Sequence, residues 1–574
     1  MTPTYYIYPL GETAATIAFE AVISEQINDL VIALYKHLQA EPIKDVKDVI
    51  PAYHTITLVF DNSIVKQASD VFTTMKQRAD IAIAGCNWQQ TIAHEIVEIP
   101  VCYDTAFGLD IVTLAADKGI SIDELIQRHI ARQYRIYCIG FLPGFAYMGN
   151  VDEILATPRR QAPRTAVKAG SVGIAGVQTG VYPLQSPAGW NIIGETPLQL
   201  FNANRAEPVL LKMGNMVQFK PITLADFLLE KNKPSEAKIS SSTSSYGITI
   251  LKQGIADTVQ DLGRFGYQQF GINPTGAMDT VAAKVANFLV GNAATEALFE
   301  LHFPASVFQF DVDALIALSG ADFCATINDE PIPNNTPIIV AANSILKFTK
   351  LVSGARCYLA IRGGMTIEKW LGSYSTHLKA NAGGFCGRLL QKGDVIAINR
   401  NLLLKAYLQE KSFVILQWQA DVAELYKDAN HIQIVAGNEY QLLTEASTDL
   451  LTASSFVITV KSDRMAYLLH GIPLQLQQPL SLISTAVTRG TVQLLPNGEL
   501  IVLMADHQTI GGYPRVGQVA QVALSKLAQL QAHQRINFAI ISQQEAAELL
   551  YLQQQYLLHI QNACIFKLKE FLAT

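Results

Sequence analysis

The sequence predicts a β-rich α+β protein made of two related parts, and three observations carry that reading. The first is an internal echo: GSVGIAGVQTGVYP (170–183) and MADHQTIGGYPRVG (504–517) share QT, glycine, tyrosine and proline in one order. The second is a set of further blocks in matching order, TAVKAGSVGI (165–174) with TAVTRGTVQL (485–494), and GNMVQF (214–219) with HQRINF (533–538). Ordered blocks of this kind mark a degenerate repeat in which each copy is one structural unit. The third is punctuation, since short β-type runs alternate with glycine and proline turns through much of both halves, the pattern of a barrel or a sandwich. Eight residues separate Gly170 from Gln178 and eighteen separate Gly490 from Gln508. That difference is the length of one hairpin, and PNGEL (496–500) supplies the Asn-Gly turn such a hairpin needs.

In chain order, Ile27, Leu30, Val31, Leu34 and Leu38 recur at helical spacing, and TITLVF (55–60) reads as a strand. Ser121 and Glu124 form a capping box for a helix running through His129. KNKPSEAKISSSTSSYG (231–247) loses apolar periodicity and has linker chemistry. It divides the chain into a first part at 1–230, a linker at 231–246 and a second part at 247–545. In the second part, Val281, Val285, Phe288 and Leu289 share a helical face that stops at Gly291. SQQEAAELLYLQQQYLLHI (542–560) opens a terminal helix, giving a helical tail at 546–574.

At 574 residues the chain exceeds what one core supports, so about two to four domains are expected. Charged residues are only 16% and apolar residues 49%, so the chain buries much surface or presents faces to partners. A formal charge of -6 excludes the basic footprint of a nucleic-acid binder. The seven cysteines stand singly without a CxxC pair and read as small core hydrophobes in a reducing compartment. The N-terminus lacks a basic region followed by an apolar run, so no secretory signal is expected. Residues 169–194 are charge-free, but their prolines, glycines and amides rule out a spanning helix. A cytoplasmic protein without a membrane segment is expected.

Glycine lets a backbone approach a ligand closely, so the two QT turns offer N–H groups and an amide to a planar ligand or a phosphate; their other reading is tight barrel corners. The candidate binding residues there are Gln178, Thr179 and Tyr182 in one copy and Gln508, Thr509 and Tyr513 in the other. Arg159, Arg164, Arg464 and Arg515 stand in proline- or glycine-punctuated segments, where a guanidinium clamps a carboxylate or phosphate or forms a surface ion pair. Asp506 and His507 precede the second turn and could move protons beside a ligand. With Arg464 they make up the candidate catalytic set. His129 is either a binding residue or a buried, satisfied histidine. No G-x-x-x-x-G-K-[ST], HExxH, CxxC or GxSxG occurs, so any ATP would be held without a P-loop, and no metal site is expected in the chain. LLKMGN (210–215) belongs to the third repeat block, so no biotin attachment is expected.

YCIGFLPGFAYMG (137–149), ATPRRQAPR (156–164) and AGSVGIAGVQTGVYPLQSPAGWNIIGETP (169–197) resemble the allophanate hydrolase subunit 1 family, also known as the kinase-inhibitor family or the B-type 5-oxoprolinase subunit family. TVQDLGRFGYQQFGINPTGAMD (258–279), ARCYLAIRGG (355–364), SDRMAYLLHG (462–471) and ADHQTIGGYPRVG (505–517) resemble its companion, allophanate hydrolase subunit 2 or the C-type 5-oxoprolinase subunit. The resemblance spans nearly the whole chain and looks like a fusion of two proteins. It implies cyclophilin-like β-barrels, at least one in each part. The sequence departs from the family's pattern at Lys168 (usually Pro), Ala188 (usually Gly), Leu468 (usually Arg) and His470 (usually Glu). The last two would alter the substrate if that pair contacts it, and nothing if it is a surface pair.

The resemblance implies a component of ATP-dependent 5-oxoprolinase, which opens the lactam of 5-oxo-L-proline to L-glutamate with an A-type partner subunit, using ATP and Mg²⁺. Two alternatives are a regulatory protein that inhibits a histidine kinase and a carboxyltransferase-type component of urea or allophanate metabolism. Self-association is left open.

Overall fold

The structure is a computed structural model that describes residues 2–66, 70–89, 94–233, 247–398 and 404–573. Most of the expected linker, 234–246, lies outside the described residues. Strands Tyr6–Pro9, Ala14–Ala18, Thr55–Phe60 and Val46–Pro51 pair in that order into a four-stranded sheet. All six residues of TITLVF are buried, Thr55 and Thr57 included, because both faces of its strand are covered. Ile56, Leu58 and Phe60 meet Leu34 and Met75 of helices Glu25–Ala40 and Val71–Gly85, while Val59 joins an aromatic cluster on the other side.

The first barrel follows, with strands β1 (Ile96–Val101), β2 (Gln133–Ile139), β3 (Ala146–Gly149), β4 (Ser171–Ala175), β5 (Gln178–Val181), β6 (Asn191–Glu195) and β7 (Met216–Pro221). The second consists of β8 (His431–Ala436), β9 (Ser455–Ile458), β10 (Ala466–His470), β11 (Thr491–Leu494), β12 (Leu500–Leu503), β13 (Arg515–Val519) and β14 (Arg535–Ile541). The pairing order is β6-β4-β5-β3-β2-β7-β1 in the first and β13-β11-β12-β10-β9-β14-β8 in the second, the same sequence advanced by one barrel. A bridge between Cys102 and Glu195 brings the ends of the first together, and the second is closed. Each has a single parallel pair, β1 with β7 and β8 with β14. Gly170 and Gly490 precede β4 and β11 with φ of +90° and +91°, a backbone that a residue with a Cβ rarely adopts.

The repeat is therefore real, but the echo that reveals it is out of register. Gln178 and Thr179 open β5, paired to Ala175 and Ile174 of β4. Gln508 and Thr509 instead follow β12 and lead into the short strand Ile510–Gly511, which pairs with Thr485–Ala486. In the first part the corresponding pair is Ser186–Ala188 with Arg164–Val167, so Gln508 and Thr509 correspond to Gln185 and Ser186. The extra spacing is one further strand of travel, although the Asn497-Gly498 turn does join β11 to β12, with Gly498 at φ +83°.

Between the barrels, the strands from Ile248–Lys252 to Phe413–Ile415 form two six-stranded sheets with helix Thr280–Leu289 beside them. The expected terminal helix begins at Gln543 and runs to Ala573. Its Ala546, Ala547 and Leu550 enter the core of the N-terminal sheet, and its Leu557, Cys564 and Leu568 pack with Val285 and Leu289. The expected tail is thus a strap across both parts. Leu550→Ala is expected to cost about 3 kcal/mol by cavity formation, read as a loss of unfolding free energy in a urea titration. A loss under about 1 kcal/mol would show that the strap carries little of the stability.

Candidate functional site

The two parts meet along a seam formed by Gly140–Phe145 of the first and the 258–279 segment of the second. The Gly144 N–H donates to the Phe270 carbonyl at 2.8 Å. Gly271, at φ +71°, leaves no room for a Cβ, which would lie 2.4 Å from the Leu142 carbonyl oxygen. Asp48 accepts from the Gly266 N–H at 2.9 Å and from Gln268 Nε2 at 3.0 Å. Trp370 Nε1 donates to the Ala203 carbonyl at 3.1 Å, and Ala486 and Ile510 enter the first part's aromatic cluster.

At this seam the structure brings together three charged groups distant in sequence. Arg464 Nε and Nη2 donate to the two oxygens of Asp506, both at 3.0 Å. Its Nη1 donates to Glu300, and Nη2 also donates to the Gly276 carbonyl at 2.7 Å. Glu300 is 0% exposed, Arg464 12% and Asp506 15%. Glu300 further accepts from the Met278 N–H at 2.7 Å and the Tyr358 hydroxyl at 2.8 Å. Burial alone would raise its pKa, but the Arg464 charge overrides that and holds it down at about 2. Arg464 therefore has its donors committed, and Asp506 is a carboxylate held in a fixed orientation. Asn273 completes the turn by donating to the carbonyls of Asp506 and His507, each at 2.6 Å.

His507 Nδ1 lies 2.7 Å from the Gln508 carbonyl. A carbonyl only accepts, so Nδ1 carries the proton and Nε2 keeps its lone pair. Burial pushes the His507 pKa down to about 4, so the ring is neutral at physiological pH. Gln508 is partly buried, Thr509 is buried with its hydroxyl unpartnered, and Tyr513 is 41% exposed. Gln508 and Thr509 share one turn with Asp506, and Tyr513 lies beyond the short strand Ile510–Gly511. Arg515 does not join them: it is buried in a two-pronged pair with Glu439, at 2.9 and 2.7 Å, and donates to the Tyr8 hydroxyl at 3.1 Å.

The first-part residues separate into two groups. His129 is a core strut. The Thr179 hydroxyl donates to the Gly173 carbonyl at 3.1 Å and accepts from His129 Nε2 at 2.9 Å, while His129 Nδ1 accepts from the Tyr103 hydroxyl at 2.8 Å. Both ring nitrogens are used, and burial drives the pKa to about 3. Arg164 is likewise occupied, donating to both oxygens of Asp110 at 2.8 and 2.7 Å. These three positions leave the expected ligand surface. Arg159, by contrast, is exposed and has no ion-pair partner among the described residues. It lies within electrostatic reach of the buried phenols of Tyr53, Tyr147 and Tyr182, and Gln178 Nε2 donates to the Tyr53 hydroxyl. Among the described residues no group of three or more His, Cys, Asp and Glu is arranged to hold a metal ion.

Residues 270–540 match the carboxyltransferase domain, subdomains A and B, and residues 5–211 match the carboxyltransferase domain, subdomains C and D. The B-type subunit of 5-oxoprolinase from Bacillus subtilis is 37% identical over 232 residues, 40% of this chain and 97% of that protein. The C-type subunit of 5-oxoprolinase from Haemophilus influenzae is 36% identical over 311 residues, 54% of this chain and 96% of that protein. The chain belongs to the B-type and C-type 5-oxoprolinase subunit families. The solved structure of TTHA0988 follows 93% of this 5-oxoprolinase-family fusion and 100% of its own length, at a TM-score of 0.77 and 27% identity. No described helix is long and apolar enough to cross a membrane.

In this 5-oxoprolinase-family fusion, sequence reasoning missed Glu300, Asn273, Arg264 and His377. Arg264 is buried, donating to Thr275 Oγ1 at 2.8 Å and to the Ser375 carbonyl, with its guanidinium 4.5 Å from the Trp370 ring centre. His377 Nε2 lies 3.3 Å from Asn273 Oδ1, and burial together with the Arg264 charge lowers its pKa to about 3. A signal was present in TVQDLGRFGYQQFGINPTGAMD: Asp261, Arg264, Gln268, Asn273 and Asp279 are all buried. Polar residues among glycines in so apolar a chain point to such a network.

Proposed function

We propose that the chain is the joined B- and C-type component of an ATP-dependent 5-oxoprolinase, opening 5-oxo-L-proline to L-glutamate together with an A-type partner. The observation that carries this reading is the near-complete coverage of a B-type and a C-type relative within one chain. Its support in the geometry is the seam, where both parts share one aromatic core and a polar turn. An unstrained lactam resists water, so its opening needs activation of the amide oxygen and stabilisation of the charge that develops there. The seam offers Asp506 held by Arg464, a neutral His507 with Nε2 as acceptor, and the Gln508 amide. Arg159 and Gln178, backed by the buried tyrosines beneath them, offer a second polar surface, assigned to nucleotide or to the A-type partner. Fusion fixes the two components at equal stoichiometry, which suits a catalytic unit.

The test uses the full chain, with and without an A-type 5-oxoprolinase protein, and measures ADP release dependent on 5-oxo-L-proline. Release is expected only with the partner. A preparation that stays silent with an A-type protein that turns over when given separate B- and C-type proteins would overturn the proposal.

A further inference from the structure

The strap helix, Gln543–Ala573, is apolar on two faces. Ala546, Ala547, Leu550, Leu557, Cys564 and Leu568 turn inward and are buried in the cores it ties together. Tyr551, Leu552, Leu558, Ile565 and Phe566 turn outward and are 39–64% exposed. A helix that is hydrophobic all round is ordinarily buried all round, so the outer face lacks a cover in the single chain. Its five side chains present about 450 Å² of apolar surface, the size of the largest patch on a typical monomer and often a functional one. Neither matched domain, 5–211 or 270–540, includes the strap, so the family match gives this face no role.

The outer residues recur every seven positions, with Tyr551, Leu558 and Ile565 on one flank and Leu552, His559 and Phe566 on the other. Glu548, Gln555, Asn562 and Lys569 follow the same interval along the middle of the face. A seven-residue repeat is the seam of a helix pair, and the order along this seam selects the partner. From Glu548 to Lys569 it reads acid, apolar pair, amide, centre, amide, apolar pair, base, so it is its own complement about a point between Leu558 and His559. A second copy laid antiparallel meets Tyr551 with Ile565, Leu552 with Phe566, Leu558 with Leu558, Gln555 with Asn562 and Glu548 with Lys569. Such a contact is isologous and closes on a two-fold axis. Glu548 and Lys569 are both exposed; Glu548 accepts from Gln544 Nε2 at 3.2 Å, and neither forms an ion pair among the described residues. A parallel copy would set Glu548 against Glu548 and Lys569 against Lys569. A lipid surface would have to take in the charge and amides along the middle of the face, which is costly.

We propose that the outer face of the strap joins two copies of this chain as an antiparallel helix pair, a homodimer with its axis between Leu558 and His559. With their polar flanks, two such faces approach the roughly 1,200 Å² of the smaller specific interfaces, so the dissociation constant is expected in the micromolar range.

The test is sedimentation equilibrium of the full chain from about 1 to 100 µM, where the mass should rise from one chain towards two. Leu552→Glu and Phe566→Glu, both at exposed positions, should each raise the dissociation constant at least about tenfold while leaving the helical circular dichroism and the melting temperature of the dilute chain unchanged. Glu548→Lys should weaken the dimer about three- to tenfold, and Glu548→Lys/Lys569→Glu should restore it, since reversing both charges recovers both pairs. A chain that is monomeric throughout would overturn the proposal, as would a dimer that keeps its affinity in Phe566→Glu. A Glu548→Lys variant without effect, the result a parallel pair gives, would also overturn it. So would a monomer that binds vesicles of phosphatidylcholine and phosphatidylserine through Phe566, or one that associates only with an A-type protein.

Discussion

Arg464→Met is expected to destabilise the chain by about 3–5 kcal/mol, the usual consequence of breaking a buried ion pair from one side. Glu300 is fully buried, and Arg464 is the one cation within ion-pair distance of it among the described residues. The Met278 N–H and the Tyr358 hydroxyl remain, but neutral donors do not offset a buried negative charge. Arg464→Met/Glu300→Leu should recover part of the loss, because it removes the stranded carboxylate while leaving those two donors unpaired. Asp506→Asn provides the contrast. Asp506 is 15% exposed, and its neutralisation leaves Arg464 paired with Glu300 and keeps one side-chain oxygen as acceptor, so the expected stability cost is about 1–3 kcal/mol, below that of Arg464→Met. If Asp506 acts on the substrate, however, the rate with the A-type partner should fall on the order of 10² or more. Melting temperature and turnover measured on one preparation separate the roles. An unchanged rate would remove Asp506 from the proposed site, and a stable Arg464→Met would show that the Glu300 charge is neutralised by something else.

Acidification from pH 7 to pH 4 should unfold the chain, and buried histidines are the cause. Burial lowers the pKa of His129 and His377 to about 3, and of His54, His302 and His507 to about 4. A histidine whose pKa is depressed in the folded state favours folding above its unfolded value of 6.5, and that contribution is lost as pH falls towards the folded value. For the deeply buried His129, His377 and His507 the loss by pH 4 is about 3 kcal/mol each. Glu12, Asp48, Asp257 and Asp279 act in the opposite direction. Burial raises all four, the first three to about 6, so they disfavour the folded state when ionised and return stability as pH falls towards 4. The five histidines outweigh these four carboxyls. Glu300, held at about 2 by Arg464, adds its own loss only below the unfolded carboxyl range. Melting temperature followed from pH 8 to pH 4 should be level above 6.5 and fall steeply below it. A melting temperature that held or rose between pH 6.5 and 4.5 would mean that these histidines are hydrated or paired.

Parts of the fold were legible because their causes are local. The terminal helix opens at Ser542, where the side chain accepts from the Glu545 N–H at 3.1 Å, and Ser121 caps its helix through the Glu124 N–H at 3.1 Å. The repeat was legible through Gly170 and Gly490, but matching QT to QT misplaced the first copy by one strand. Short motifs of small and polar residues recur at barrel corners and at strand starts alike, and only the pairing partner distinguishes them. His129 shows the same limit, since Thr179 and Tyr103 satisfy it from fifty and twenty-six positions away.

The sequence by itself determined a β-rich repeat, the capped helices that open at Ser121 and Ser542, and the Asn497-Gly498 turn, because turn geometry, capping and hydrophobic period are encoded within a few residues. Only the tertiary structure decided what each charge does. Arg464 resembles Arg164 and Arg515 as a sequence feature, and all three turn out to be held by carboxylates, Arg464 by one 164 positions away. Arg356 stands within ARCYLAIRGG with no sign of a role, yet it is buried and donates to the Tyr467 hydroxyl at 2.7 Å from across the chain. A guanidinium's role follows from the groups within about 4 Å of it, and separation along the chain carries no information about which groups those are.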